Sequence, residues 1–317
     1  MIPIKSYLIR RILSLVPLII GVSLIVFLAI NFIPGNPVRI MLGIEATAEM
    51  EAELKEEYGL DQPFFMRYGK WFTSFIQGDF GRSIVSGSPV NEEITNRFAV
   101  TLQLTILSVI LSLIIAIPVG VISATKQNTL IDFIVRIGVL SGISLPSFAL
   151  GILLILFMSK VFGWLPPFGF VNLWDDFFLS IQILILPVIS LGVRLSASVS
   201  RMTRSSMLEV LRKDYIRTAR AKGLKEIIVT YKHALQNSLI PILTLVGLQI
   251  GYLFGGAVII EQIFSLPGLG RYLLTGIYKR DYPIVMATVL IIAISFALVN
   301  TFVDILYAFV DPRIKYD

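Results

Sequence analysis

One histidine, His233, and no cysteine leave this 317-residue chain without disulfides, thiolate metal ligands or the imidazoles of an all-protein transition-metal site. It has no His-Glu-x-x-His, no Gly-x-Ser-x-Gly and no Gly-x4-Gly-Lys-Ser/Thr. Zinc-protease, serine-hydrolase and phosphate-loop ATPase chemistry therefore lack their machinery. The residues that do invite chemistry invite recognition. Arg217, Ala219, Arg220, Ala221, Lys222, Gly223 and Leu224 bring three cations, two small residues, a turn-forming glycine and one apolar contact into eight positions. The cations can meet carboxylates on a partner, the alanines leave room for a docking cleft, and Leu224 offers an apolar contact. The competing reading is a solvated basic loop that only enforces membrane topology.

Something must hold these residues in place. Good helix formers end at Ala221-Lys222-Gly223, where glycine commonly turns a helix through a left-handed residue. A second helical stretch from Lys225 leads back to Pro241, in the next apolar run. The pattern predicts helix, tight turn, helix, a short surface element on two arms suited to docking.

The arms rise from a membrane. The chain is 56% hydrophobic and 15% charged, with a mean hydropathy of +0.82, well outside the range of soluble domains. Six apolar runs can cross hydrocarbon roughly 30 Å thick: 12–33, 98–125, 134–159, 177–200, 234–260 and 282–310. The fourth is long enough if Arg194 snorkels to an interface. Barrel-type alternation is absent, so helices must satisfy the backbone. The expectation is an all-α integral membrane protein of six transmembrane helices in a single domain, 1–317.

With the amino terminus inside, the inner segments hold 17 Lys and Arg against 10 outside, while acids number 6 inside and 14 outside. The positive-inside rule then puts both termini and the 201–233 loop in the cytoplasm, and segment 34–97 outside. The first run ends in Asn31-Phe-Ile-Pro34 without a small-residue cleavage pattern, which reads as a retained span. In the outer segment, 47–58 has helical composition. Phe64-Phe65, Tyr68, Trp71-Phe72 and Phe75 follow as an aromatic group, suited to headgroup depth or to an external partner. Gly247, Gly251 and Gly255 recur every fourth residue, a face for close helix packing within this chain or with a partner. Pro267-Gly268 and Gly270 then interrupt any helix, and irregular backbone near a bilayer needs protein cover or water. Glu261 reads as a helix-end carboxylate in headgroup water, or as something more.

The stretch Tyr215-Ile-Arg-Thr-Ala-Arg-Ala-Lys-Gly223, with His233 and Asn237 before Pro241, resembles the EAA loop of ABC-importer permeases in its peptide and nickel form. Arg217 stands where the general loop has glutamate, while Ala219 and Gly223 fit it. Pro34-Gly-Asn-Pro37, Leu60-Asp-Gln-Pro63, Gly78-Asp-Phe-Gly81, Glu261-Gln-Ile-Phe-Ser-Leu-Pro-Gly-Leu-Gly270 and Asp311-Pro-Arg313 carry the resemblance end to end. The 34–98 stretch looks closest to glutathione-type importers.

This resemblance implies a type I importer permease with a cytoplasmic coupling helix between spans four and five, in which Arg217 and Ala219–Leu224 contact an ATPase. It implies that Glu261, Phe264, Pro267 and Gly268 line an outer vestibule of the pathway. The implied partners are a homologous second permease, two ATP-binding cassette ATPases and an extracytoplasmic substrate-binding protein. ATP and magnesium would be held on the ATPases, with no cofactor on this non-enzymatic chain. The implied cargo is a short peptide, glutathione-like tripeptides included; the same architecture serves nickel chelates and oligosaccharides. An ion-coupled secondary transporter is the competing class, but it would carry midplane ion sites and an internal repeat, and neither is visible.

Overall fold

The computed structural model describes residues 4–32, 47, 49–50 and 61–310. The Pro34–Pro37 motif, most of the helix expected over 47–58 and Asp311–Arg313 fall outside the described residues. The described chain is helical: α1 (Ile4–Phe32), α2 (Phe64–Ile76), α3 (Val90–Thr125), α4 (Leu130–Ser144), α5 (Ser147–Phe162), α6 (Phe177–Leu211), α7 (Asp214–Ala221), α8 (Gln236–Ile263), α9 (Leu269–Lys279) and α10 (Tyr282–Val310). A single turn, Glu226–Ile228, and a π-helix, Val229–Leu235, lead into α8.

Among the described residues five helices, counting α8 with its π-helical entry, are long and apolar enough to cross a membrane. The α4–α5 pair makes a sixth span if it counts as one crossing. The continuous third span expected over 134–159 is instead bent by 101°. Proline is the cause. It disfavours helical geometry in the residue before it, and Leu145 is extended (φ −85°, ψ 119°) ahead of Pro146. The 35 residues of α6 make a helix about 52 Å long, so it outruns the 177–200 span and takes in Arg201 and Arg204. Charged residues ended the apolar run without ending the helix. Likewise α3 starts at Val90 rather than 98, adding Glu93 and Arg97, which pair at 2.7 Å.

The chain groups into two compact units, both discontinuous in sequence. In the unit built from Leu102–Leu266 and the last helix from Leu298, α4, α5 and α8 all pack on α6. Helices α3 and α6 meet along small residues. A Cβ added to Gly120 would lie 2.5 Å from Thr203 Cβ, and Ser200 Oγ donates to the Ala116 carbonyl at 3.2 Å. In lipid such close approach supplies the packing that hydrophobicity does not.

The other unit joins Pro3–Thr101 to Pro267–Ala297. Here α2 lays Phe64, Tyr68 and Trp71 around Phe27 of α1, with ring centroids 5.3–5.6 Å apart, and Tyr68 Oη meets Ser23 Oγ at 2.8 Å. Much of the aromatic group therefore clamps α1, and Phe65, Met66 and Ile76 remain exposed. The break expected across Glu261–Gly270 is shorter than its glycines imply. Glu261 lies in the last turns of α8, and Gly270 is already inside α9.

Candidate functional site

Helix α7 is amphipathic and seated by two residues. Ile216 and Ala219, three apart, are buried among Val121 and Ala124 of α3, Met207 and Val210 of α6, and Val229 and Ala234 of the return arm. That spacing places them on one helical face. Ala219 thus faces the chain's own core and is not part of an outward cleft. Asp214 in the first turn suits the positive end of the helix, and Arg220 in the last suits the negative end.

The turn has the geometry that glycine permits. Gly223 adopts φ +76°, its N–H donates to the Arg220 carbonyl at 2.9 Å, and Lys222 N–H donates to Thr218 at 3.0 Å. Nothing lies within 4 Å of a Cβ built there. The requirement is conformational and not one of space. Across the turn, Arg220 Nε donates to Glu226 Oε1 at 2.7 Å, and Arg217 pairs with Asp214 at 3.5 Å. Both pairs are exposed, so each arginine can trade its partner for another carboxylate at small cost.

Arg217, Arg220, Ala221, Lys222, Gly223 and Leu224 are all exposed. Around them lie exposed apolar side chains: Tyr215, which opens the motif, and Ile227 (66% exposed), Ile228 and Tyr231, which the motif did not single out. Partial burial pushes the Tyr215 phenol up from its ordinary value. Ile227, Ile228 and Tyr231 could have been found as apolar residues at i, i+1 and i+4 inside a charged stretch. Beside the element, a shallow groove of about 490 Å³ is lined by Arg204, Ser205, Leu208, Glu209, Arg212 and Lys213. An exposed surface that mixes cations with unpaired apolar side chains, on a firmly seated helix, is suited to binding a protein with acidic and apolar groups.

The remaining candidates are more enclosed. Glu261 is fully buried, and Phe264 is buried with its ring against Gly151, where an added Cβ would be 3.0 Å from Cε2. Gly268 is buried and Pro267 half-buried. The three glycines of α8 divide. A Cβ on Gly247 would lie 2.5 Å from Val303 Cγ1, Gly251 is buried, and Gly255 is exposed with nothing within 4 Å of its Cβ position. Leu248, Tyr252 and Ile259 are exposed with Gly255 along one face.

Residues 116–316 match the family model of binding-protein-dependent transport system inner membrane components, and residues 4–105 match its N-terminal counterpart. The chain belongs to this family. The permease is 44% identical to a dipeptide transport system permease protein of Alkalihalophilus pseudofirmus, across 98% of this chain and 99% of that protein. It is 42% identical to glutathione transport system permease proteins of Salmonella paratyphi A and Escherichia coli, with the same coverage. Its fold is shared with two inward-facing structures of the MetNI methionine ABC transporter. The TM-scores are 0.55 and 0.57 at 19% and 21% identity, covering 67% and 69% of this chain and 93% and 96% of those chains. The permease is a multi-pass membrane protein with the type I importer fold.

Proposed function

We propose that the chain is the translocation subunit of an ATP-driven importer of short peptides, and that Arg217 and Arg220–Leu224, with Ile227, Ile228 and Tyr231, form the face on which an ATPase docks. The observation carrying this reading is the way α7 is built. It presents cations and apolar side chains outward while Ile216 and Ala219 root it in the ends of α3 and α6. A load applied to that face is passed to membrane helices. The peptide cargo is supported by the dipeptide and glutathione permeases, similar over nearly the whole chain.

In this reading a homologous permease stands beside the subunit, two ATPases bind below and a substrate-binding protein delivers cargo from outside. ATP binding closes the ATPases, draws the docking helices together and opens the spans outward. Hydrolysis, with ATP and magnesium on the ATPases, resets them. The excess of inner Lys and Arg supports cytoplasmic termini in a cytoplasmic membrane. Glu261, Phe264, Pro267 and Gly268 act on the pathway by packing its wall, since most of them are enclosed by the chain. The open Gly255 face of α8 suits the second permease.

Reconstitution with the cognate ATPases and binding protein tests the whole reading. Uptake of a labelled di- or tripeptide is expected only with ATP on the ATPase side of the membrane and binding protein on the opposite side. Uptake driven by an ion gradient with no ATPase present would overturn it. Titrating the binding protein with dipeptides, glutathione and nickel chelates identifies the cargo.

A further inference from the structure

Beneath the docking element a buried carboxylate ties three segments together. Asp132, in the first turn of α4, is fully buried. Arg204 of α6 grips it with two prongs, Nε to Oδ1 and Nη2 to Oδ2, both at 3.0 Å. Ser123, in the last turn of α3, donates to Oδ1 at 2.6 Å, and the Asn128 N–H of the connecting loop donates to Oδ2 at 3.1 Å. Arg136, half-exposed, stands 3.6 Å away. A buried charge persists only when paired and fully hydrogen-bonded, and both oxygens meet that condition here.

The docking helix stands on the same two helix ends. Val121 and Ala124 flank Ser123, and Met207 follows Arg204 by one turn; these side chains receive Ile216 and Ala219. No residue of α4 is in that apolar cluster. At this end α4 is held by Asp132, whereas farther along Gly142 packs close to Ala197 of α6.

We propose that Asp132 and Arg204 are positioning residues that lock the start of α4 to the base of the docking helix. A displacement of α7 is then delivered to the bent α4–α5 pair, and the 126–129 loop does not absorb it. The proposal rests on the reading of α7 as the ATPase docking site.

Removing one partner strands the other's charge, so either single neutral variant is expected at low abundance. The informative variant is the double D132N/R204Q, which removes both charges together and keeps neutral hydrogen-bonding groups on both sides. Whole complexes in vesicles are assayed for peptide moved per ATP hydrolysed, a ratio that a lower amount of protein does not change. The double variant is expected to assemble and hydrolyse ATP normally, with the ratio down about tenfold, within the range for residues that carry coupling. R204K keeps the charge but loses the two-pronged grip, and its ratio is expected to fall about threefold. A wild-type ratio in either variant overturns the proposal, and R204K decides the matter if the double fails to assemble. Gly223→Val, run in parallel, separates this proposal from the docking reading. If it leaves the ratio unchanged while the double lowers it, the docking reading fails, and the route from α7 through the lock falls with it. The reverse pattern overturns the lock alone.

Discussion

At Gly223 a single backbone angle carries the turn after α7. At φ +76° a side chain is strained even though the space around it is open. A left-handed conformation costs an L-residue about 1–2 kcal/mol, and β-branching worsens it. Gly223→Val is therefore expected to lose ATPase association or to hydrolyse ATP without transport, while Gly223→Asn, which tolerates the left-handed region, retains intermediate activity. Copurification of the ATPases together with uptake checks both, and wild-type uptake in the valine variant would remove the turn from coupling. Ile216 makes the complementary case from the inner face. Trimming this fully buried side chain in Ile216→Ala should cost about 2–5 kcal/mol, unseating α7 and exposing it to proteolysis. Arg217→Ala, at an exposed pair, should leave protease resistance unchanged and weaken only ATPase binding. Equal protease sensitivity of the two variants would contradict this division of the helix into an anchored and an offered face.

At the scale of elements, the glycines of α8 serve two surfaces. Gly247 meets Val303 of α10, so Gly247→Leu overpacks the subunit, typically at a cost of about 1–3 kcal/mol, and should lower its abundance. Gly255→Leu meets nothing within this chain and should leave the isolated subunit intact while reducing recovery of the paired permease. Size-exclusion chromatography of the subunit alone and with its partner measures the difference. If Gly255→Leu pairs normally, that face points to lipid or to an open cavity. The bend between α4 and α5 follows from Pro146, and the length of α6 from helix formers that continue past the membrane boundary.

For the whole molecule, the absence of cysteine makes topology measurable without a background. Ser86 and Ser205 are both exposed, so a cysteine placed at either is open to reagent from its own side. In intact cells with a permeable outer boundary, an impermeant maleimide should label Ser86→Cys, and should reach Ser205→Cys only after lysis. Equal labelling of the two in intact cells would reverse or abolish the assigned orientation.

Membrane residence, helical class and the turn at Gly223 were legible in the sequence because each depends on local or summed properties. Apolar run length sets the spans, and a glycine after an Ala-rich helix sets the turn. What only the tertiary structure decided is which side of each helix is enclosed. Ala219 looked available and is buried, because α6 extends past its apolar run to receive it beside the end of α3. Ile227, Ile228 and Tyr231 fell inside the expected 201–233 loop, where nothing local marked which way they face, and they are exposed. Asp132 was one acid among six on the inner side, and its burial depends on Arg204, 72 residues away. Periodicity reports which residues share a face, but the partner of that face is fixed by contacts distant in the chain.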